Sequence, residues 1–389
     1  MIKVWDFDFN QVPGKAAPDY DDHEVVQRAF DHNLDLMVSL EGRGFEGVFY
    51  SEHHFIAAMS PCPNLLIAAL AAKTEKMKIG VMGNVLAFHQ PWRLAEELNM
   101  LDYLTHGRLE VGVASGVPPE FRFVGIPVED VRPMYIEVLD FLQSAYERKF
   151  VTLKGKFFDL EAVPVMPRPR KEQRRRHWMT IYSERSCRDA AQRNFKVCTG
   201  YQPVETAAIA FDAYREEAAQ HGRSVGPDDI GVRRQVLIWD TQADAEALAA
   251  ELEASNKARM ASIFQDMFAR LAKEGVAIQD AMKPAGSVKD SGVMDAAAVP
   301  RAEKNLTPGA PKVDPTGALQ VSPDEYITGS PESVAEQIID QCRRLGAGNI
   351  MAYHAPTMDE AQIARNYALW EKVIPIVNKA DVLKAPAAA

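Results

Sequence analysis

The run Ser51-Glu52-His53-His54 places one carboxylate and two imidazoles on consecutive residues. Imidazole gains and loses a proton near neutral pH, and a carboxylate can orient it, so this group suits proton transfer. The same side chains belong to the donor set of a metal site, which needs three ligands converging on one ion. On an extended segment neighbouring side chains leave opposite faces, so Glu52 and His53 diverge, and so do His53 and His54. His89, His106, His177 and His354 add no ligand spacing. Acid–base chemistry is therefore the expectation, without a metal.

The cluster follows a short apolar run, Val48-Phe49-Tyr50, that itself follows the turn residue Gly47. An apolar run whose polar residues collect at its carboxyl end reads as a buried parallel strand. In an α/β barrel that end faces the active site. The rest of the chain supplies such a barrel. Strands are expected at residues 2–9, 48–50, 77–86 and 108–114, with helical periodicity between them. Asp21 and Asp22 can cap the first helix, and Pro91 suits the first turn of the third. Further strands are expected at 177–182, 196–199, 230–239 and 349–353, again alternating with helices. Residues 150–165 carry Gly155 between two β-prone runs and read as a hairpin inserted before the fifth strand. Residues 275–322 are rich in Gly, Pro, Ala, Asp and Lys and lack periodicity, as a mobile lid would. The expected architecture is α/β: a single (β/α)8 TIM barrel domain over 1–389, with that long mobile insertion before strand eight.

Composition narrows the function. A net charge of −10 lacks the basic footprint of a nucleic-acid binder. Cys62, Cys187, Cys198 and Cys342 are scattered and form no CxxC pair, so neither structural zinc nor a disulfide framework is expected. No apolar run approaches the roughly 20 residues of a membrane helix, and the N-terminus opens as a strand. A cytoplasmic chain is expected. The basic run Arg174-Arg175-Arg176 reads as a solvated loop.

Taken in register, the motifs resemble the bacterial luciferase-like, flavin-dependent monooxygenases. The series runs from Ser51-Glu-His-His-Phe55 through Gly80-Val-Met-Gly-Asn-Val-Leu86 and Pro91-Trp-Arg-Leu-Ala-Glu-Glu97. It continues with Leu101-Asp-Tyr-Leu-Thr-His-Gly-Arg-Leu-Glu-Val-Gly112, Gly116, Glu120-Phe-Arg-Phe-Val-Gly125, Gly329-Ser-Pro-Glu-Ser333 and Gly348-Asn-Ile350. The resemblance implies a (β/α)8 barrel that receives FMN already reduced, as FMNH2, from a separate NAD(P)H:flavin reductase. It implies reaction with O2 to a C4a-hydroperoxyflavin, which oxygenates a small organic substrate. Members of this family commonly form homodimers, and one is expected here.

The same resemblance assigns residues. His53, the first histidine after the glutamate, matches the family's catalytic histidine, and His54 lines the pocket. Glu52 can orient a histidine or buttress the barrel, and the structural role is the expectation. Met82, Gly83 and Asn84 lie where family members set backbone against the flavin ring, in some of them through a cis peptide. Gly83 there would permit close approach of the ring, and Asn84 would bond either the ring or neighbouring backbone. On the fourth strand the luciferases' reactive cysteine is replaced by Ala114 and their flavin-contacting arginine by Ser115. The second change removes a cation from the cofactor site, and nothing argues for luminescence. Ser183, Arg185 and Ser186 match the phosphate-binding turn, where the start of a helix suits a dianion. Phe7, Phe55 and Phe88 join His54 as substrate-pocket residues, which fits an apolar or aromatic small molecule. Two other readings share these features: an F420-dependent oxidoreductase of the same fold, and a flavin-binding protein without catalysis.

Overall fold

Strand–helix units follow one another from the first residues. The computed structural model describes residues 1–15, 18–56, 58–170, 177–263 and 319–383, together with 269, 273, 275 and 312–313. β1 (Lys3–Asp8), α1 (His23–Ser39), β2 (Gly47–Tyr50), α2 (Pro63–Ala71), β3 (Lys78–Val85), α3 (Pro91–Leu104) and β4 (Leu109–Ala114) form the first part. Asp22 caps α1 by accepting from the Glu24 and Val25 N–H groups, and Pro91 opens α3 as expected. Two helices come next, α4 (Pro118–Phe123) and α5 (Val128–Glu147), and then an antiparallel hairpin of β5 (Phe150–Lys154) and β6 (Asp159–Pro164). The parallel rhythm resumes with β7 (His177–Thr180), α6 (Glu184–Arg193), β8 (Lys196–Thr199), α7 (Val204–Gln220), β9 (Ile230–Ile238) and α8 (Gln242–Ile263). The chain closes with the short pair β10 (Lys312–Val313) and β11 (Leu319–Gln320), then β12 (Tyr326–Gly329), α9 (Pro331–Leu345), β13 (Asn349–Tyr353) and α10 (Glu360–Val377).

Eight strands close into a parallel ring in the order β1–β2–β3–β4–β7–β8–β9–β13 and back to β1. This is the expected (β/α)8 barrel, with the hairpin before its fifth strand. β12 is an addition: it lies parallel along the outer half of β9, Tyr326–Gly329 against Gln235–Ile238. Four residues are too short a run for alternation to announce a strand, and neither β12 nor α4 was expected. Nearly all of the insertion expected at 275–322, and the basic run at 174–176, lie outside the described residues.

The strand pleat sorts side chains into two cores. Trp5, Phe7, Phe49, Met82, Trp178, Cys198 and Met351 fill the barrel interior. Val4, Val48, Tyr50, Ile79, Val81 and Val111 face outward and pack beneath the helices. Two polar groups in the interior are satisfied: the Trp178 indole donates to Glu110 at 2.7 Å, and the Trp5 indole to Asn349 at 2.9 Å. Packed in this way, the barrel base is a rigid platform for whatever sits at the strand C-termini. Among the described residues no helix is long and apolar enough to cross a membrane.

Candidate active site

At the carboxyl end of β2 the chain leaves the sheet at Ser51, whose hydroxyl lies 3.0 Å from that of Ser60. Glu52 is buried and gathers three donors. Its Oε2 accepts from the Val85 N–H at 3.0 Å, and its Oε1 lies 3.0 Å from Nε2 of both His54 and His89. Burial pushes this carboxyl's pKa up, but the imidazoles and the backbone donor outweigh it and hold the value below the usual range. Burial conversely works against the charged form of His89, and the Glu52 carboxylate raises it all the same. Glu52 thus makes contacts of both kinds open to it, to histidines and to the strand backbone, and His89 is a partner that sequence spacing did not reveal. It ties the ends of β2 and β3 together.

His53 takes another direction. Its Nδ1 lies 3.0 Å from Oε1 of Glu120, a fully buried residue of α4. A carboxylate accepts, so Nδ1 carries the hydrogen and the neutral ring keeps its lone pair at Nε2. The ring stacks on Phe9, 6.1 Å between centroids and 19° between planes. Glu120 is a partner of His53 that the sequence did not single out, although it opens one of the motifs quoted above. Its second oxygen, Oε2, is buried and has no hydrogen-bond partner among the described residues.

The four expected pocket residues fall into two groups. His54 packs edge-on against Phe88 at 4.7 Å, Phe88 lies 4.6 Å from Phe121, and Phe55 lies 5.2 Å from Phe123, so these form one aromatic shelf around α4. Phe55 is half exposed and has φ of +61°, which turns its ring outward over that shelf. Phe7 is elsewhere, in the barrel interior, 5.0 Å from Phe9.

On β3 the Met82–Gly83 peptide is cis, and the pairing with β4 shifts register between Val81 and Asn84. Met82 contributes its side chain to the barrel interior. Glycine at 83 is also required by the sheet itself: a Cβ there would stand 2.6 Å from the Val113 backbone of the neighbouring strand. Asn84 is fully buried, and its amide donates to the Gly112 carbonyl at 3.0 Å, leaving Oδ1 without a partner among the described residues. Of the two bonds left open for Asn84, the backbone one is made.

Ser115 is exposed just past β4. Ser183 caps α6 in a reciprocal box: its Oγ accepts from the Ser186 N–H at 3.3 Å, and Ser186 Oγ accepts from the Ser183 N–H at 3.2 Å. Arg185 stands exposed in the first turn of the same helix and has no ion-pair partner among the described residues. Across the mouth, β9 contributes a buried guanidinium, Arg233, ringed by Tyr201, Phe7, Phe9 and Tyr353. Sequence reasoning passed over it. Two arginines inside a strand with apolar flanks were the available signal. Among the described residues, no three His, Cys, Asp or Glu side chains are arranged to hold a metal ion.

A family model described as luciferase-like monooxygenase matches residues 7–348. Among curated relatives, the uncharacterized protein y4wF of Sinorhizobium fredii is 29% identical over 61% of this chain and 72% of its own length. The alkanal monooxygenase alpha chain of Photobacterium leiognathi is 27% identical, over 55% of this chain and 59% of its own length. The oxygenase component of the flavin-dependent trigonelline monooxygenase of Acinetobacter baylyi is 24% identical, over 59% and 65%. The matches to these two enzymes thus span about six tenths of their length. Among solved structures, the oxygenating constituent of the Pseudomonas putida 3,6-diketocamphane monooxygenase, in complex with FMN, aligns with a TM-score of 0.70 at 19% identity, covering 97% of this chain and 98% of that one. An F420-dependent secondary alcohol dehydrogenase aligns with a TM-score of 0.65 at 14% identity, covering 97% and 99%. At these identities the structural likenesses bear on the fold.

Proposed function

This chain belongs to the luciferase-like monooxygenase family, and we propose that it is the oxygenase of a two-component system. In this reading a separate NAD(P)H:flavin reductase supplies FMNH2, and the chain uses it with O2 to oxygenate a small organic molecule. The observation that carries the reading is the His53–Glu120 pair at the barrel mouth: an imidazole held by a buried carboxylate at Nδ1, with Nε2 left to act. The residues present fit a phosphate-bearing flat cofactor. Exposed Arg185 at the start of α6, without an ion-pair partner among the described residues, offers a cation beside helix N–H groups; Ser183 and Ser186 open the same helix, and Ser115, past β4, is assigned to the same cofactor. Met82, Gly83 and Asn84 form the wall on β3 against which the ring would rest.

Bound, reduced FMN supplies the electrons and the activation of O2. His53 then moves a proton at Nε2, and Glu120 keeps the ring in the tautomer that allows it. His54, Phe55, Phe88 and Phe7 surround the substrate and exclude water. The proposal extends to a single-domain enzyme working as a homodimer in the cytoplasm, where reduced nicotinamide is at hand.

Fluorescence titration tests the cofactor part without turnover. Wild-type protein should bind FMN at least about 10-fold more tightly than riboflavin, and Arg185→Gln should erase much of that preference, as the loss of one charge-assisted phosphate contact does. Equal affinity for FMN and riboflavin would contradict the assigned phosphate turn. Binding of F420 in place of FMN would move the chain to the deazaflavin reading.

A further inference from the structure

We propose that the barrel mouth contains an anion subsite centred on Arg233 that takes the carboxylate of an acidic substrate with a flat aromatic body. This inference rests on reading the mouth as an oxygenase site and names a substrate class for it.

Arg233 projects from the middle of β9, opposite Met351 of β13, and is only 6% exposed. Its guanidinium carbon lies 3.8 Å from the centre of the Tyr201 ring, 5.1 Å from Phe7, 5.1 Å from Tyr353 and 5.6 Å from Phe9. Gly200 makes room for it, since a Cβ there would stand 2.7 Å from Nε. A guanidinium carries five N–H donors in a fixed fork. Among the described residues, Arg233 spends one of them, from Nη2 to Glu325 Oε1 at 3.3 Å.

That carboxylate is shared. Glu325 also takes the Tyr353 hydroxyl at 3.2 Å, the Tyr201 N–H, and Nη1 of Arg234 at 3.2 Å. Arg234 is the structural member of the pair: its other donors go to Gln341 at 2.7 Å, to the Arg233 carbonyl at 3.0 Å and to the Gln202 carbonyl at 3.3 Å. Two guanidiniums therefore lean on one carboxylate. The next acid, Asp324, is turned to the Val204 N–H at 2.8 Å at the start of α7. Buried cations with unused donors are costly to keep, and a planar fork matches a planar carboxylate.

Position joins the subsite to the chemistry. Phe9 packs on Arg233 and stacks on His53, so the anion anchor and the proton-transferring ring flank one side chain. The four rings around the guanidinium favour an aromatic body attached to the acid. Arg185 and the start of α6 are a separate, exposed place for the cofactor phosphate.

Calorimetric titration of the full chain loaded with oxidised FMN, using benzoate and its neutral isostere benzamide, tests the subsite. Wild type should bind benzoate at least about 10-fold more tightly than benzamide, the scale of one charge-assisted contact. Arg233→Gln should abolish that preference and leave FMN affinity unchanged. No preference in the wild type, or a preference surviving in Arg233→Gln, overturns the proposal. If Arg233→Gln instead weakens reduced FMN selectively over oxidised FMN, the anion served is the reduced ring, and the substrate assignment is overturned. Should that variant fail to fold, Arg233→Lys should lose about 10-fold in benzoate affinity with benzamide unaffected, and unchanged benzoate binding would overturn the proposal. The same titrations on apo protein separate the two readings: a benzoate preference that depends on Arg233 in a chain that binds no FMN upholds the subsite while the FMN assignment falls.

Discussion

In the proposed reaction, Glu120 sets which nitrogen of His53 acts. Its carboxylate accepts at Nδ1, and an amide in its place could equally donate there and leave the ring in the wrong tautomer. Glu120→Gln is therefore expected to slow return of the bound flavin to its oxidised form, or alter its pH profile, as far as His53→Ala does, with melting temperature nearly unchanged. Stopped-flow absorbance over pH 6 to 9 would read both variants; a wild-type profile in Glu120→Gln would make the contact incidental. At this scale the sequence was only half legible. Four consecutive residues announced the histidine cluster, but the partner of His53 lies 67 positions away, on a six-residue helix that begins Pro-Pro and has no periodicity to betray it. Arg233 was hidden for the opposite reason, inside a strand whose apolar flanks mark it as core.

β1 shows how an element can be read correctly and its environment missed. Its alternation of apolar and acidic residues was enough to expect a strand, and ordinarily such acids would face water. Here Asp6 and Asp8 face outward from the barrel and are buried all the same, Asp6 against Tyr367 of α10. The Tyr367 hydroxyl donates to Asp6 and accepts from Nδ1 of His354 at 3.2 Å. Burial raises the Asp8 pKa to about 6, against the bond from the Asn10 N–H, and burial with the Asp8 charge raises that of Asp6 well above the usual range. Burial also pushes His354 down to about 4, with His32 adding to the effect. The signs oppose each other. The native state keeps a proton on Asp8 that the unfolded chain loses near pH 4, so this stability is complete below pH 4 and lost as pH rises through 6. His354 stays neutral in the native state, so its contribution is present above about 6.5 and lost as pH falls toward 4. Asp8→Asn keeps the Oδ1 acceptor for Asn10 and removes the buried charge. It should raise stability at pH 7.5 by about 3 kcal/mol, the worth of a shift of that size, and give no gain at pH 4. Calorimetric unfolding at the two pH values checks this; an equal gain at both would rule out the charge as the cause.

At the scale of the whole molecule, the barrel was legible because each strand–helix unit repeats the same pattern, an apolar run with polar residues at its carboxyl end followed by an amphipathic helix. Closure of the ring follows from eight such units. What the rhythm could not supply was β12, which joins the sheet by pairing with the outer half of β9, and the contacts made across the mouth between distant strands. The outer surface also bears on assembly. Leu65 on α2 and Trp92, Met100, Tyr103 and Leu104 on α3 are large apolar residues exposed on two neighbouring helices. They suit the proposed pairing of two barrels. Light scattering after size exclusion should give twice the chain mass for the wild type and the single chain mass for the double variant Met100→Glu, Leu104→Glu. A wild-type monomer would contradict the dimer.

The central claim is that the barrel mouth holds reduced FMN while His53 manages the proton. The most direct test is anaerobic mixing with chemically reduced FMN, then an oxygen pulse followed by stopped-flow absorbance, for wild type and His53→Ala. Tight binding of FMNH2 is expected and, in the wild type, a transient flavin spectrum distinct from the reduced and oxidised forms. The decay of this transient should be pH-dependent and slow by about 100-fold or more in His53→Ala, as loss of a positioned proton-transfer group does. Reoxidation in one phase at the rate of free FMNH2, the same in both proteins, would contradict it.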